Sequence, residues 1–203
     1  MLLYQFKMGT NPRRVIIYLA EKGIDIPRYE LDYASGEHRS ASYMALNPSG
    51  RAPTLVTADG TAITESAAIV EYLEELYPER PMLGTDPVQR ARVRALERVG
   101  NDLIVRSQAW LWNLAGAFKA KEPQPSALVA AKNWRYVEEL LDYLEVAVGD
   151  DEFLAGTAPT VADFTNFAIF QTARERFDQP FGTDHPKLDA WYRRFRARPS
   201  ANY

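Results

Sequence analysis

Ser66 has the clearest chemical setting in the sequence. It follows Thr64-Glu65 at the end of a β-rich run and precedes Ala67, Ile69, Val70, Leu73 and Leu76, which recur at helical spacing. A hydroxyl at a helix start, beside backbone N–H groups and a favourable dipole, makes a receptor for a carboxylate. The plainer reading is an N-cap, because a serine opening a helix ordinarily serves its own backbone. Asn11 poses the same choice. With Pro12 behind it, it reads as the N-cap before a helix carrying Val15, Ile16, Leu19 and Ala20. Its carbonyl can cap while its amide nitrogen still donates elsewhere. Thr10 offers a hydroxyl one residue earlier.

Composition closes off several alternatives. The chain has no cysteine, which excludes disulfides, thiolate zinc sites and a cysteine nucleophile. Its two histidines, His38 and His185, lie far apart in the sequence and form no HxH or HxxxH pair, so no metal is expected. A formal net charge of -3 supplies no basic excess to compete for phosphate, so no nucleic-acid partner is expected. The basic runs at 90–98 and 193–198 alternate with apolar residues at helical spacing and read as solvated helix faces. No apolar run approaches the roughly 20 residues of a membrane-spanning helix. The first residues form an apolar strand pattern with no basic leader ahead of it. The expected location is the cytoplasm.

The elements around these residues change character partway along. Residues 2–6 and 29–32 read as strands flanking the first helix, which ends at Lys22 and Gly23. Residues 34–39 read as a loop and 41–46 as a short helix. Residues 54–57 and 62–64 are β-rich and flank Asp59-Gly60, a hairpin signal; the helix opening at Ser66 follows. The order is βαβαββα over residues 1–77. Pro78, Pro81 and Gly84, with Pro87 just beyond, then mark 78–86 as a linker. Beyond it the β signal vanishes. Asp86-Pro87 launches a long helix reaching towards Phe118, with a weak point at Gly116 and a break from Lys121. A second helix covers 127–148. Thr160 and Asp163 form a capping box for a third that runs towards Arg176, and a last one covers 187–198. The expectation is an α/β domain at 1–77 followed by an all-helical domain at 87–203.

Asn47-Pro48-Ser49-Gly50-Arg51-Ala52-Pro53-Thr54-Leu55, followed by Thr64-Glu65-Ser66 entering a helix, closely resembles the glutathione-binding half of the glutathione S-transferase family. The resemblance covers nearly the whole chain. It implies a thioredoxin-like N-terminal domain, an all-α C-terminal domain, a homodimer, and glutathione as co-substrate without a metal. It implies that the Ala52-Pro53 peptide is cis, turning the Ala52 backbone towards the cysteinyl part of glutathione. Glu65 and Ser66 map onto the pair that holds the γ-glutamyl end. In the loop Gly36-Glu37-His38, His38 is the candidate for the glycine carboxylate, with Arg39 or Arg51 as cationic substitutes. The electrophile is expected near Met8, Ser107, Trp110, Leu111 and Asn113, though the Trp and Leu read equally well as core.

Family members place Tyr, Ser or Cys after the first strand to meet the glutathione thiol. Here the usual Ser or Cys position falls on Gly9, which has no side chain. Asn11, matching the asparagine of nu-class and yeast prion-like relatives, and Thr10 are the candidates for that role. Without a cysteine the chain cannot form the mixed disulfide of omega-like and beta-like members. Maleylacetoacetate isomerases carry Ser-Ser-Cys where this chain reads Gly-Thr-Asn, which speaks against that activity. The implied reaction is attack of glutathione thiolate on a hydrophobic electrophile. Glutathione-dependent disulfide reduction and a non-catalytic regulatory or scaffold role stand as alternatives.

Overall fold

The computed structural model describes residues 1–114 and 124–202. The expected weak point at Gly116, the helix end at Phe118 and the break from Lys121 lie outside the described residues. The chain divides into two compact units, Met1–Leu83 together with Arg198–Tyr203, and Gly84–Ala197.

In the first unit, β1 (Leu2–Gln5), α1 (Thr10–Lys22) and β2 (Arg28–Glu30) are followed by α2 (Ala41–Leu46), β3 (Thr54–Val56), β4 (Ala62–Thr64) and α3 (Ser66–Leu76). The sheet order is β2-β1-β3-β4, with β1 parallel to β2 and antiparallel to β3. This is a thioredoxin-like domain with a mixed sheet. Leu3 and Leu55 from the strands, Val15, Tyr18 and Leu19 from α1, and Ile69 and Leu73 from α3 are fully buried. Of the apolar positions read from the sequence, Val15, Leu19, Ile69, Val70 and Leu73 are core, whereas Ala20 and Leu76 are exposed and Ile17 and Tyr18, not read from spacing, are fully buried. Burial of each such side chain is worth about 1.5–3 kcal/mol.

Gly23 ends α1 at φ 72, a left-handed conformation that most side chains resist, and its N–H reaches the carbonyls of Ala20 and Leu19. Just before it, Lys22 is buried against the Glu74 carboxylate at 2.9 Å and donates to the Tyr77 and Glu79 carbonyls. Glu74 also accepts from Tyr18 Oη at 2.7 Å and from the Met82 and Leu83 backbone. The proline-rich stretch after α3 is thereby fastened to the C-terminal end of α1. The last residues join the same unit. Arg198 makes a two-pronged ion pair with Glu21 at 2.7 and 2.8 Å, and Arg13 Nη2 donates to the Ser200 carbonyl at 3.2 Å.

The second unit is helical: α4 (Pro87–Trp112), α5 (Ala127–Val148), α6 (Val161–Gln171) and α7 (Pro186–Arg196). Asp86 caps α4 by accepting from the Val88 and Gln89 N–H groups, with Pro87 in the first turn. The helix stops at Trp112, where Asn113 turns its amide back onto the Ala109 carbonyl at 2.8 Å. The capping box at Thr160 and Asp163 is present. Residues expected to continue α6 towards Arg176 form a π-helical turn, Thr172–Arg176. Phe164, Phe167, Phe170, Trp191 and Phe195 form the aromatic core of this unit. Trp110 packs on Trp134 at 4.4 Å and, like Leu111, belongs to the core, the plainer of its two readings.

Candidate functional site

Strand register brings the candidate residues to one edge of the sheet. Tyr4 pairs with Thr54 and Thr54 with Thr64, so the end of β1, the start of β3 and the end of β4 lie side by side. Gln5 pairs with Glu30 on the other side, and the Leu31 N–H continues the ladder to the Gln5 carbonyl at 2.9 Å. The segments that leave this edge are 6–9, 31–38, the residues before Thr54, and Glu65-Ser66. The residues predicted to hold glutathione therefore begin from one end of one sheet, whereas Ser107, Trp110, Leu111 and Asn113, predicted for the electrophile, lie on α4 or at its end in the second unit.

The Ala52-Pro53 peptide is cis. Around it a closed set of hydrogen bonds fixes the loop. Tyr43 Oη donates to the Arg51 carbonyl at 2.6 Å and Asn47 Nδ2 to the same oxygen at 2.8 Å. Asn47 Nδ2 also reaches Thr54 Oγ1 at 3.0 Å, and that hydroxyl lies 2.9 Å from Tyr43 Oη. Because the Tyr43 proton serves Arg51, Thr54 is the donor in the last bond. Burial pushes the Tyr43 phenol up, which keeps it protonated for this task. Asn47 Oδ1 accepts from the Ser49 N–H and hydroxyl at 3.1 and 2.7 Å. The Asn47-Pro48-Ser49 motif is thus a clamp on the backbone of residues 49–54. Among the described residues the Ala52 N–H and C=O make no hydrogen bond. Backbone groups left open ahead of a strand in this way are suited to pairing with an extended peptide.

Glu65 and Ser66 sit at the β4–α3 junction. Glu65 is the N-cap residue, at φ 67 and ψ 119, and it caps with no side-chain bond. A non-glycine residue held there costs on the order of 1–3 kcal/mol, and such strain gathers at binding sites. Ser66 is the first helical residue and is 2% exposed; its Oγ accepts from Arg14 Nε at 2.5 Å. The capping reading of Ser66 is therefore not what the fold uses. The hydroxyl accepts from Arg14 beside a helix start that no side chain caps.

The first helix departs from expectation at its start. Its N-cap is Gly9, not Asn11, and no side chain caps it. Pro12 stands three residues inside, where the missing N–H still costs nothing because the first helical donors have no intrahelical acceptor. Thr10 is 6% exposed and Asn11 half-buried. A Cβ at Gly9 would come within 2.9 Å of Pro12 Cδ and Cγ. The space a side chain at Gly9 would need is thus occupied by the Pro12 ring.

His38 lies on a short 3₁₀ turn, Glu37–Arg39, stacked on the exposed Tyr33 ring at 4.8 Å and edge-on to Phe6 at 5.5 Å. Its Nδ1 is buried without a hydrogen-bond partner. The Arg51 side chain is exposed, and Arg39 Nη1 donates to the Ser49 carbonyl at 3.3 Å. Among the described residues no cluster of His, Asp and Glu could hold a metal ion, and no helix is long and apolar enough to cross a membrane.

Tyr43, Thr54 and Arg14 were not singled out from the sequence. A signal for Arg14 existed: cations early in a helix oppose its dipole, so Arg13-Arg14 there calls for a partner.

Two family models match the chain: the glutathione S-transferase N-terminal domain over residues 10–76 and the C-terminal domain over residues 109–199. The chain is 36% identical over 199 residues to a maleylacetoacetate isomerase of Pseudomonas aeruginosa, covering 95% of this chain and 87% of the relative. Among solved structures it is similar to a glutathione S-transferase domain-containing protein of Marinobacter aquaeolei, with a TM-score of 0.87, 32% identity and 100% of both chains covered. It is also similar to Gtt2 of Saccharomyces cerevisiae, with a TM-score of 0.86, 26% identity and 98% of each chain covered.

Proposed function

The chain belongs to the glutathione S-transferase family, and we propose that glutathione binds at the strand ends of its first unit, beside the Ala52 backbone, and attacks a hydrophobic electrophile through its thiolate. The chain is a glutathione transferase; the residues that hold each part of the peptide are the inference. The Ala52 backbone pairs with the cysteinyl residue. Ser66, Glu65 and the α3 N-terminus hold the γ-glutamyl end, whose carboxylate suits a hydroxyl beside helical N–H groups. His38 faces the glycine carboxylate, with Arg51 as a cation nearby in sequence. The observation that carries this reading is the convergence of Ala52, Ser66 and the α1 start on one edge.

The sulfur falls to the start of α1. A free thiol with a pKa of about 8.5 is mostly protonated at neutral pH. An uncapped helix N-terminus plus a donor from Asn11 or Thr10 favours the thiolate, each charge-assisted bond being worth about 1.5–3 kcal/mol. The thiolate then forms a carbon–sulfur bond, and the leaving group departs with its electron pair. Such a reaction removes electrophiles, a detoxifying role in the cytoplasm. The enzyme acts as a homodimer, as the family organisation supports; light scattering at one chain mass under micromolar conditions would contradict that.

Retention on immobilised glutathione followed by conjugation of an aryl halide tests the reading. Retention without turnover of either an aryl halide or a disulfide would leave a binding protein; no retention would remove the peptide site. A second reading, isomerase activity, is favoured by the 36% identity to the Pseudomonas isomerase. Gly9-Thr10-Asn11 and the lack of cysteine weigh against it, and a direct assay with maleylacetoacetate decides.

A further inference from the structure

Arg14 is 4% exposed near the start of α1, and its Nε donates to Ser66 Oγ at 2.5 Å across the unit. We propose that Arg14 is a positioning residue for glutathione: it fixes the Ser66 hydroxyl so that the hydroxyl proton is delivered to the γ-glutamyl carboxylate. This rests on Ser66 holding that carboxylate. A serine hydroxyl has one proton and two lone pairs, whereas a guanidinium can only donate. The bond from Arg14 therefore occupies a lone pair and leaves the proton for another acceptor. Within the described residues Ser66 Oγ donates to nothing. It does not cap its own helix either, because Glu65 is the N-cap residue.

Two physical consequences follow from the charge on the donor. A bond from a guanidinium is short and polarises the hydroxyl, making it a stronger donor to an anion. The same bond removes the rotational freedom that the hydroxyl would otherwise lose on binding glutathione.

The test is calorimetry on the wild type, Arg14→Met, Arg14→Lys, Ser66→Ala and the Arg14→Met/Ser66→Ala pair. The probes are glutathione and glutathione amidated at its γ-glutamyl α-carboxylate. Arg14→Met should weaken glutathione about tenfold or more while binding the amide as the wild type does. The pair should bind glutathione within about twofold of Ser66→Ala, since both changes remove one interaction. KM for glutathione should rise with kcat and the bound thiol pKa unmoved. Unchanged glutathione affinity in Arg14→Met overturns the proposal, as do equal losses for both probes or multiplicative losses in the pair. Loss of cooperative unfolding in both Arg14 variants makes the arginine a structural strut and overturns it as well. A wild type that binds no glutathione removes the site itself, a separate failure from a binding wild type that ignores Arg14.

Discussion

At the scale of single residues, the start of α1 separates a cap from a reactive group. Asn11 looked like an N-cap because Asn-Pro so often opens a helix, yet the helix begins earlier, at Gly9 and Thr10. Spacing could not show this, since proline is tolerated throughout the first turn. With the capping role removed, Asn11→Asp becomes a clean probe. The new carboxylate suits a helix N-terminus by about 0.3–1 kcal/mol, so thermal stability should hold or rise. If Asn11 meets the sulfur as proposed, the donor is lost and an anion takes its place, so the bound thiol pKa should climb and conjugation fall. Wild-type turnover in Asn11→Asp would transfer the role to Thr10. Gly9 has its own test. Gly9→Ser would add a hydroxyl at this position, but its Cβ meets the Pro12 ring at 2.9 Å. We expect a loss of about 1–3 kcal/mol by urea denaturation, the range for overpacking, and recovery of most of it in Gly9→Ser/Pro12→Ala. Equal stability of Gly9→Ser and wild type would show that the ring yields freely.

At the scale of elements, strongly periodic segments were legible and their ends depended on local chemistry. α2, β4, α3 and α5 have the bounds that spacing gave, because each is bracketed by turn or capping residues such as Ser40, Gly60 and Ser126. α6 was expected to run to Arg176, but its last residues widen into a π-helical turn, Thr172–Arg176. Nothing in a 3.6-residue period encodes that change of pitch. The capping box was read correctly, yet its reach was not. Asp163 is wholly buried and accepts from the Leu154 and Thr160 N–H groups, Thr160 Oγ1 and Trp191 Nε1. Burial pushes this carboxyl up while those donors pull the other way. Asp163→Ala strands buried donors from three segments at once. The expected cost exceeds about 3 kcal/mol, well beyond the 0.5–2 kcal/mol of an ordinary cap. A loss confined to the ordinary range in denaturant titration would mean that Trp191 and Leu154 find other partners.

At the scale of the whole molecule, the change from mixed α/β to all-helical sequence after the linker was visible from composition alone, because the β-rich runs stop there. That residues 198–202 return to the first unit was not visible. It depends on Arg13, Glu21, Arg198 and Ser200, which are distant in sequence and carry no common pattern. Burial alone would raise the Glu21 carboxyl, but its bonds from Arg198 and Ser200 hold it below the usual range. A depressed carboxylate adds stability above its unfolded pKa, about 4.3, and loses it as pH falls through the folded value. Glu21→Gln should therefore destabilise the protein at neutral pH, with the gap to wild type closing below about pH 4. A gap that persists or widens on acidification would contradict the assigned pairing. The edge proposed for glutathione was drawn from motif residues close in sequence, and the cis Ala52-Pro53 peptide expected there is present. The Tyr43–Asn47–Thr54 clamp and Arg14 could not be drawn in that way, since only folding brings them to it. What that edge is for is tested most directly by titrating the thiol of bound glutathione through its thiolate absorbance. The account predicts saturable binding and ionisation well below the free value of about 8.5. A thiol that titrates as it does in free solution, or no binding at all, would contradict it.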